Sequence, residues 1–482
     1  MKRNPFIAIM VSAALLMSVS CDPEENQPTG PVALETPVPK AGTVTETTAE
    51  IAWEAVAGAQ SYSYYIVDMP DTLSTDGTEI LVEGLTPARD YTVMVRAESS
   101  DESQYLDSEW GSVSFTTSES VKPEPESYTV YALDPMVVME DATLGTAYVR
   151  NLSPAGNYAV GFDDQLGDPT SFVWDRSTGE YTILDHGDYM GCKAYDVNDE
   201  GLIVGSVITS AYEELPAYMD YSNGGTWTLL PTNGISSAAY PSFAVAVTND
   251  GMIGGQVITE LSDGTERCVP CLWKNFQLDQ SGFELPENGD DACMYGSYVY
   301  GMSDDGRVIS GWQDWGIGTR SPAVWVDGKL TRIYGEEPVI DEDGTVYEGI
   351  AWAVSSDGSK VTGYFSPDGM SIVGFIYDVA TGEKTEIPSY GGVAFDNFGK
   401  VFMTGVMGMG GIYWENGATF DVTELWAGLD GTFATDMTPD VGTDGIPSVI
   451  YSVSDDGLVL GGSFSYIAFG TALQYPSIIV ME

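Results

Sequence analysis

Between residues 150 and 460 one short phrase recurs seven times: an apolar residue, a small polar residue, two turn residues, then glycine. The copies run Leu152 to Gly156, Val197 to Gly201, Val247 to Gly251, Met302 to Gly306, Val354 to Gly358, Phe395 to Gly399 and Val453 to Gly457. A second glycine follows each copy, from Gly161 to Gly461. Successive copies start 45, 50, 55, 52, 41 and 58 residues apart. That is the period of a β-propeller blade and exceeds that of a leucine-rich repeat.

Each repeat divides into four strands. Strand A ends in the apolar residue of the phrase, as in Phe243–Val247, and the position before that end is mostly small: Ala246, Gly301, Ala353, Ala394 and Ser452. Small residues suit a crowded inner strand beside a propeller axis. Strand B follows the glycine. Strand C ends near an aromatic such as Trp174, Trp273 or Trp325, and a tight turn such as Asp327-Gly328 leads into strand D. The seventh repeat stops after strand C, while Tyr128–Leu133 precedes the first repeat with no obvious partner. Donating that segment to the last blade removes an unpaired sheet edge. The expected fold is all-β: a seven-bladed propeller over 128–482, closed by its N-terminal strand. The phrase resembles the HAF-type repeats of bacterial extracellular proteins, a likeness that implies architecture more than activity.

The earlier part of the chain is different. Residues 1–20 read as a targeting segment, with Lys2 and Arg3 before an apolar run from Phe6 to Met17 that is too short to span a bilayer. Small residues then precede Cys21. This resembles the lipobox of bacterial lipoproteins and implies lipidation at Cys21, although Ser18 stands where that family favours leucine. Asp22, Glu24 and Glu25 resemble the export tag of surface-displayed lipoproteins. The implied location is the outer membrane, lipid-anchored and facing outward, while in other bacteria an aspartate after the cysteine marks inner-membrane retention. Residues 21–36 read as a tether and 118–127, with Pro123 and Pro125, as a stiffer linker. Between them, 37–117 alternates as a small all-β domain. Trp53 as a core tryptophan, Tyr91 as a tyrosine corner and the ending Trp110–Thr117 resemble a fibronectin type III sandwich.

Composition restricts the chemistry. With 72 acidic residues against 18 basic ones, the net charge is −54. Such a surface repels nucleic acid and anionic lipid headgroups, so the membrane is expected to be reached through the lipid only. A single histidine, His186, removes most histidine-based catalysis and most zinc enzymology. Cys192, Cys268, Cys271 and Cys293 read as buried thiols or one structural disulfide; the Cys268–Cys271 pair has CxxC spacing but no helix to activate it.

Loop lengths suggest where recognition occurs. The A–B and C–D turns are short, whereas the B–C and D–A connections are long and variable, and these emerge together on one face. Trp312, Asp314 and Trp315 are expected in one such loop, with Tyr189, Tyr212, Tyr240, Tyr295 and Trp426 in others. Aromatics beside carboxylates suit sugar stacking or a protein hot spot. The Ser303–Gly306 type of segment reads as a hydrogen-bonded turn. Asp341 and Asp343, or Asp163, Asp164 and Asp168, are the weak candidates for structural calcium; no other cofactor is expected. The leading expectation is a surface-anchored binding or adhesion lipoprotein with a glycan or protein ligand. The rivals are a carbohydrate-active hydrolase or lyase and a structural subunit of an envelope complex.

Overall fold

The computed structural model describes residues 31–482 apart from 68–71, 84, 86, 102, 120, 134–146, 164–167, 238–239, 263, 285–295, 315–319, 336–347, 367–370, 389, 406–410, 435–446, 448 and 469–470. Cys21, Cys293, Tyr295, Trp315, Asp164, Asp341 and Asp343 lie outside the described residues. The chain is all-β and forms two compact units, residues 1–120 and 121–482.

The first unit is a two-sheet sandwich. One sheet pairs Lys40–Val44, Ala49–Ala52 and Glu79–Val82; the other orders Leu73–Thr75, Ala59–Ile66, Asp90–Ser99 and Gly111–Thr116. Asp90–Ser99 shows why it forms: alternate residues Tyr91, Val93, Val95 and Ala97 are buried, while the intervening side chains face outward. Trp53 packs edge-on against Tyr62 at 5.2 Å within this core. The sheet orders are those of a fibronectin type III-like sandwich. Strand pairing starts before Pro37: Val32–Ala33 pairs in parallel with Tyr105–Leu106, and Leu34 is buried. Part of the segment read as tether therefore belongs to the sandwich.

The second unit has the sheets of a propeller. Among the described residues, six four-stranded antiparallel sheets follow one another in sequence, each in strand order A-B-C-D. A five-stranded sheet joins both ends of the unit. In it Ser127–Ala132 pairs antiparallel with Thr471–Met481, Val130 facing Ile479. Asp430–Phe433 adds on the outside in parallel, a strand the sequence did not suggest. Neighbouring sheets share apolar cores, and the last packs on the first: Val459, Ile478 and Val480 meet Val149, Phe172 and Trp174. The strand-C tryptophans Trp174, Trp273 and Trp325 are fully buried in these cores.

The two glycines of the repeat serve different needs. Gly306 closes the A–B turn at φ +68°, a region that side chains disfavour. Ser303 Oγ donates to Asp305 Oδ1 at 2.7 Å and accepts from Val308 N at 3.0 Å, so the turn is locked by side-chain hydrogen bonds, as its composition implies. Gly311, by contrast, lies under strand A: a Cβ there would fall on the carbonyl oxygen of Tyr298.

That crowding accompanies a bulge. All seven inner strands shift register at the same place, between Val149 and Asn151, Ala194 and Asp196, Ala244 and Ala246, Val299 and Gly301, Ala351 and Ala353, Gly392 and Ala394, and Ile450 and Ser452. The extra residue is Arg150, Tyr195, Val245, Tyr300, Trp352, Val393 or Tyr451. A bulge re-aims the side chain it carries.

Candidate functional site

Six of those seven bulge residues, Arg150, Val245, Tyr300, Trp352, Val393 and Tyr451, line one cavity of about 140 Å³. The cavity runs from the bulges to the A–B turns, where Pro154, Thr248, Asp304, Ser356 and Asp455 line it. It therefore occupies the short-turn end of the inner strands. The seventh bulge residue, Tyr195, is buried, and its hydroxyl donates to Glu214 Oε1 at 3.2 Å.

A run of rings adjoins the cavity. From Tyr451 a series of aromatic neighbours passes through Tyr148, Phe162, Tyr195, Phe243, Tyr298 and Tyr300 to Trp352, with centroid separations between 4.6 and 5.7 Å. Burial holds the phenols of Tyr195 and Tyr298 well above their ordinary range, so both remain protonated hydrogen-bond donors.

The cavity is polar where the repeat departs from its own rule. The small position beside the axis holds Asn151 in the first repeat and Asp196 in the second. Asn151 Nδ2 donates to Asp196 Oδ1 at 2.7 Å, and Ser452 Oγ donates to Asn151 Oδ1 at 2.6 Å. Val197 N and Val247 N also donate to the Asp196 carboxyl, at 2.9 and 2.8 Å. This chain ties the last sheet to the first three. Burial nevertheless pushes Asp196 up to about 7, against the pull of those hydrogen bonds and of Arg150.

Two further carboxyls stand at the turns. Asp304 is pushed up to about 7 by desolvation and by the negative charges of Asp455 and its neighbours. Asp304 is itself exposed at its turn. Asp455, pushed up to about 6 by burial, accepts from Ser356 Oγ at 3.0 Å. Ser356 O in turn accepts from Asp304 N at 3.0 Å. Turn residues of the fourth, fifth and seventh repeats thus meet across the axis.

Arg150 is the basic residue in this lining. Its guanidinium lies 5.0 Å from the centre of the Trp352 ring, and the residue is only 8% exposed.

The residues expected on the long-loop face are scattered. Trp312 is not a free loop ring: it sits in strand Val308–Asp314, half-buried, stacked on Tyr298 at 5.9 Å with Arg320 over its face. Asp314 ends the same strand and is fully buried. Trp426 follows a short 3-10 turn, Val422–Leu425, and packs into the core between the sixth and last sheets. Tyr240 and Tyr189 are half-buried, the latter against the core of the second sheet. Tyr212 is 68% exposed at a turn with φ 60°. Asp163, offered for calcium, is buried in a strand, and no metal-binding group of three or more His, Cys, Asp or Glu forms among the described residues. Cys192, Cys268 and Cys271 are unpaired and buried, and burial pushes the Cys268 thiol up to about 12, which makes it a poor nucleophile.

Sequence reasoning missed Arg150, Asp196, Asp304 and Asp455. The usable signal was Asn151 and Asp196, the two polar exceptions to the small position.

No known protein family matches the chain, and no curated protein matches it. Solved structures do. The fn3 domain of human collagen α1(XX) is 24% identical, covers 21% of this chain and 98% of its own, and has a TM-score of 0.17. TolB from Acinetobacter baumannii is 11% identical over 73% of this chain and 79% of its own, with a TM-score of 0.36. The β-propeller domain of the trilobed protease from Pyrococcus furiosus, described as having an open velcro topology, is 10% identical over 81% of this chain and 97% of its own, with a TM-score of 0.38. The fold assignment rests on the strand pairings above.

Proposed function

We propose that this protein is a lipid-anchored cell-surface recognition protein. Cys21 carries the lipid, the type III-like sandwich acts as a spacer, and a seven-bladed propeller, closed by its N-terminal strand, engages a glycan or protein ligand. The observation that carries this reading is the set of seven bulges. One backbone device, repeated in every inner strand, places Arg, Tyr, Val, Tyr, Trp, Val and Tyr toward one axis. A shared frame with differing side chains suits a site built for recognition, where a few polar groups fix a ligand against apolar walls. Exposed Tyr212 supports a secondary contact on the long-loop face; Trp315 keeps its candidacy there, and Asp341 and Asp343 theirs for structural calcium, from sequence alone.

The test is a glycan array probed with the full chain, followed by turnover assays on each hit. Saturable binding without turnover supports the reading. Absence of any glycan or protein ligand contradicts it. Separately, Cys21→Ala is expected to move the protein from the membrane to the soluble fraction, and unchanged membrane partition would refute the anchor.

A second reading, a carbohydrate-active hydrolase, draws on the carboxyls of Asp304 and Asp455. Both titrate above the ordinary carboxylate range at the cavity mouth, and a protonated and an ionised carboxyl together can cleave a glycosidic bond. Product release that is lost in Asp304→Asn would favour it.

A further inference from the structure

Resting on the reading of the propeller as a recognition domain, we infer that the axial cavity is a binding site for a small sugar acid, with Arg150 as its carboxylate anchor.

Arg150 is more than nine-tenths buried and lines the cavity, and among the described residues it has no ion pair and no hydrogen bond. Its guanidinium stands over the face of Trp352 and within electrostatic reach of Asp196 and Tyr300. A guanidinium presents five N–H donors in a fixed fork. Asp196 is near enough to feel its charge. The Asp196 oxygens, however, already accept from Asn151, Val197 and Val247. The guanidinium thus lies over the indole, with no protein acceptor bonded to it among the described residues, and can receive an outside acceptor. A planar carboxylate matches it in two parallel hydrogen bonds.

The rest of the lining sets the remainder of the ligand. Toward the mouth stand Asp304, Asp455 and Ser356, a group rich in acceptors. These reject a multiply charged anion and reward hydroxyl donors. Tyr300 and Tyr451 supply flat apolar walls. At about 140 Å³ the space falls below the roughly 300–1,000 Å³ of sites for drug-sized ligands. One carboxylate, several hydroxyls and small size together describe a hexuronate, free or as the end unit of a chain.

The experiment is calorimetric titration of the full chain with D-galacturonate, D-galactose and acetate. Wild type should bind galacturonate saturably and at least about tenfold more tightly than either galactose or acetate, the order expected from combining a charge-assisted pair with hydroxyl contacts. Arg150→Gln should weaken galacturonate at least about tenfold with its melting curve unchanged, and Arg150→Lys should weaken it less. If Arg150→Gln does not fold, the Lys variant decides: undiminished binding there overturns the anchor. Galacturonate that fails to bind wild type, binds Arg150→Gln equally well, or binds no better than galactose or acetate overturns the inference. A positive glycan array alongside such a result would leave the recognition reading standing, so the two failures are distinguishable.

Discussion

The two ends of the propeller's inner strands are built from the same repeat and differ in character. Toward the long connections rings pack together: Phe243 is fully buried against Tyr195 and Tyr298. Toward the short turns lies a polar cavity with one arginine and three carboxyls. Long loops drew attention to the first end, since variable connections often carry function. The described residues place the built cavity at the second. A short turn can therefore border a site when a bulge just before it turns a side chain inward.

The largest test removes what both ends share. Deleting 128–133 strips Thr471–Met481 of one of its two antiparallel partners and takes Val130, Ala132 and Leu133 out of the cores. The thermal transition is expected to be lost or to broaden severely; a truncated chain that stays monomeric and equally stable would break the idea of closure by this strand. Next is Phe243→Ala, which removes a ring from the aromatic end. The expected cost is about 3–5 kcal/mol in denaturant unfolding. A loss of ligand binding without that cost would mean the aromatic end is itself the site.

Asp304→Asn probes the polar end through pH. The folded protein holds this carboxyl at about 7, above its unfolded value near 3.8, so it takes up a proton on folding in mild acid. Its contribution is therefore fully present below pH 4 and is lost as pH rises through 7. The variant should show a flatter melting profile between pH 4 and 7, by about 1 kcal/mol, reduced from full linkage because the residue is exposed and solvent screens it. Identical slopes would show that Asp304 does not sense the cavity. Smallest is Tyr212→Ala on the long-loop face, expected to change stability by no more than about 0.5 kcal/mol. A large loss of binding in that variant, assayed on an array hit, would return the working surface to the loops.

Much of the frame was legible in the sequence. The period, the turn at Ser303–Gly306 and the unpartnered strand near Tyr128 each have a local cause that leaves a residue signature. The bulge does not. Arg150 and Asn151 are adjacent in sequence, and nothing in their types says that one turns to the axis while the other bonds to Asp196; the carbonyl packing over Gly161 and its equivalents decides that. Trp426 misled for a related reason. A tryptophan in a long connection can be an exposed anchor or a core residue, and only the packing of Val422–Leu425 against the sixth sheet settles which. Leu34 was read as tether because its pairing partners lie about seventy residues away.

The central claim, that the short-turn end is the working end, is tested most directly by hydrogen–deuterium exchange of the full chain with and without the strongest glycan from the array. Protection should concentrate in the inner strands and turns around 150–156, 300–306, 352–358 and 451–457. Protection confined to the connections around 209–213 and 315–319, with those four segments unchanged, would contradict the account.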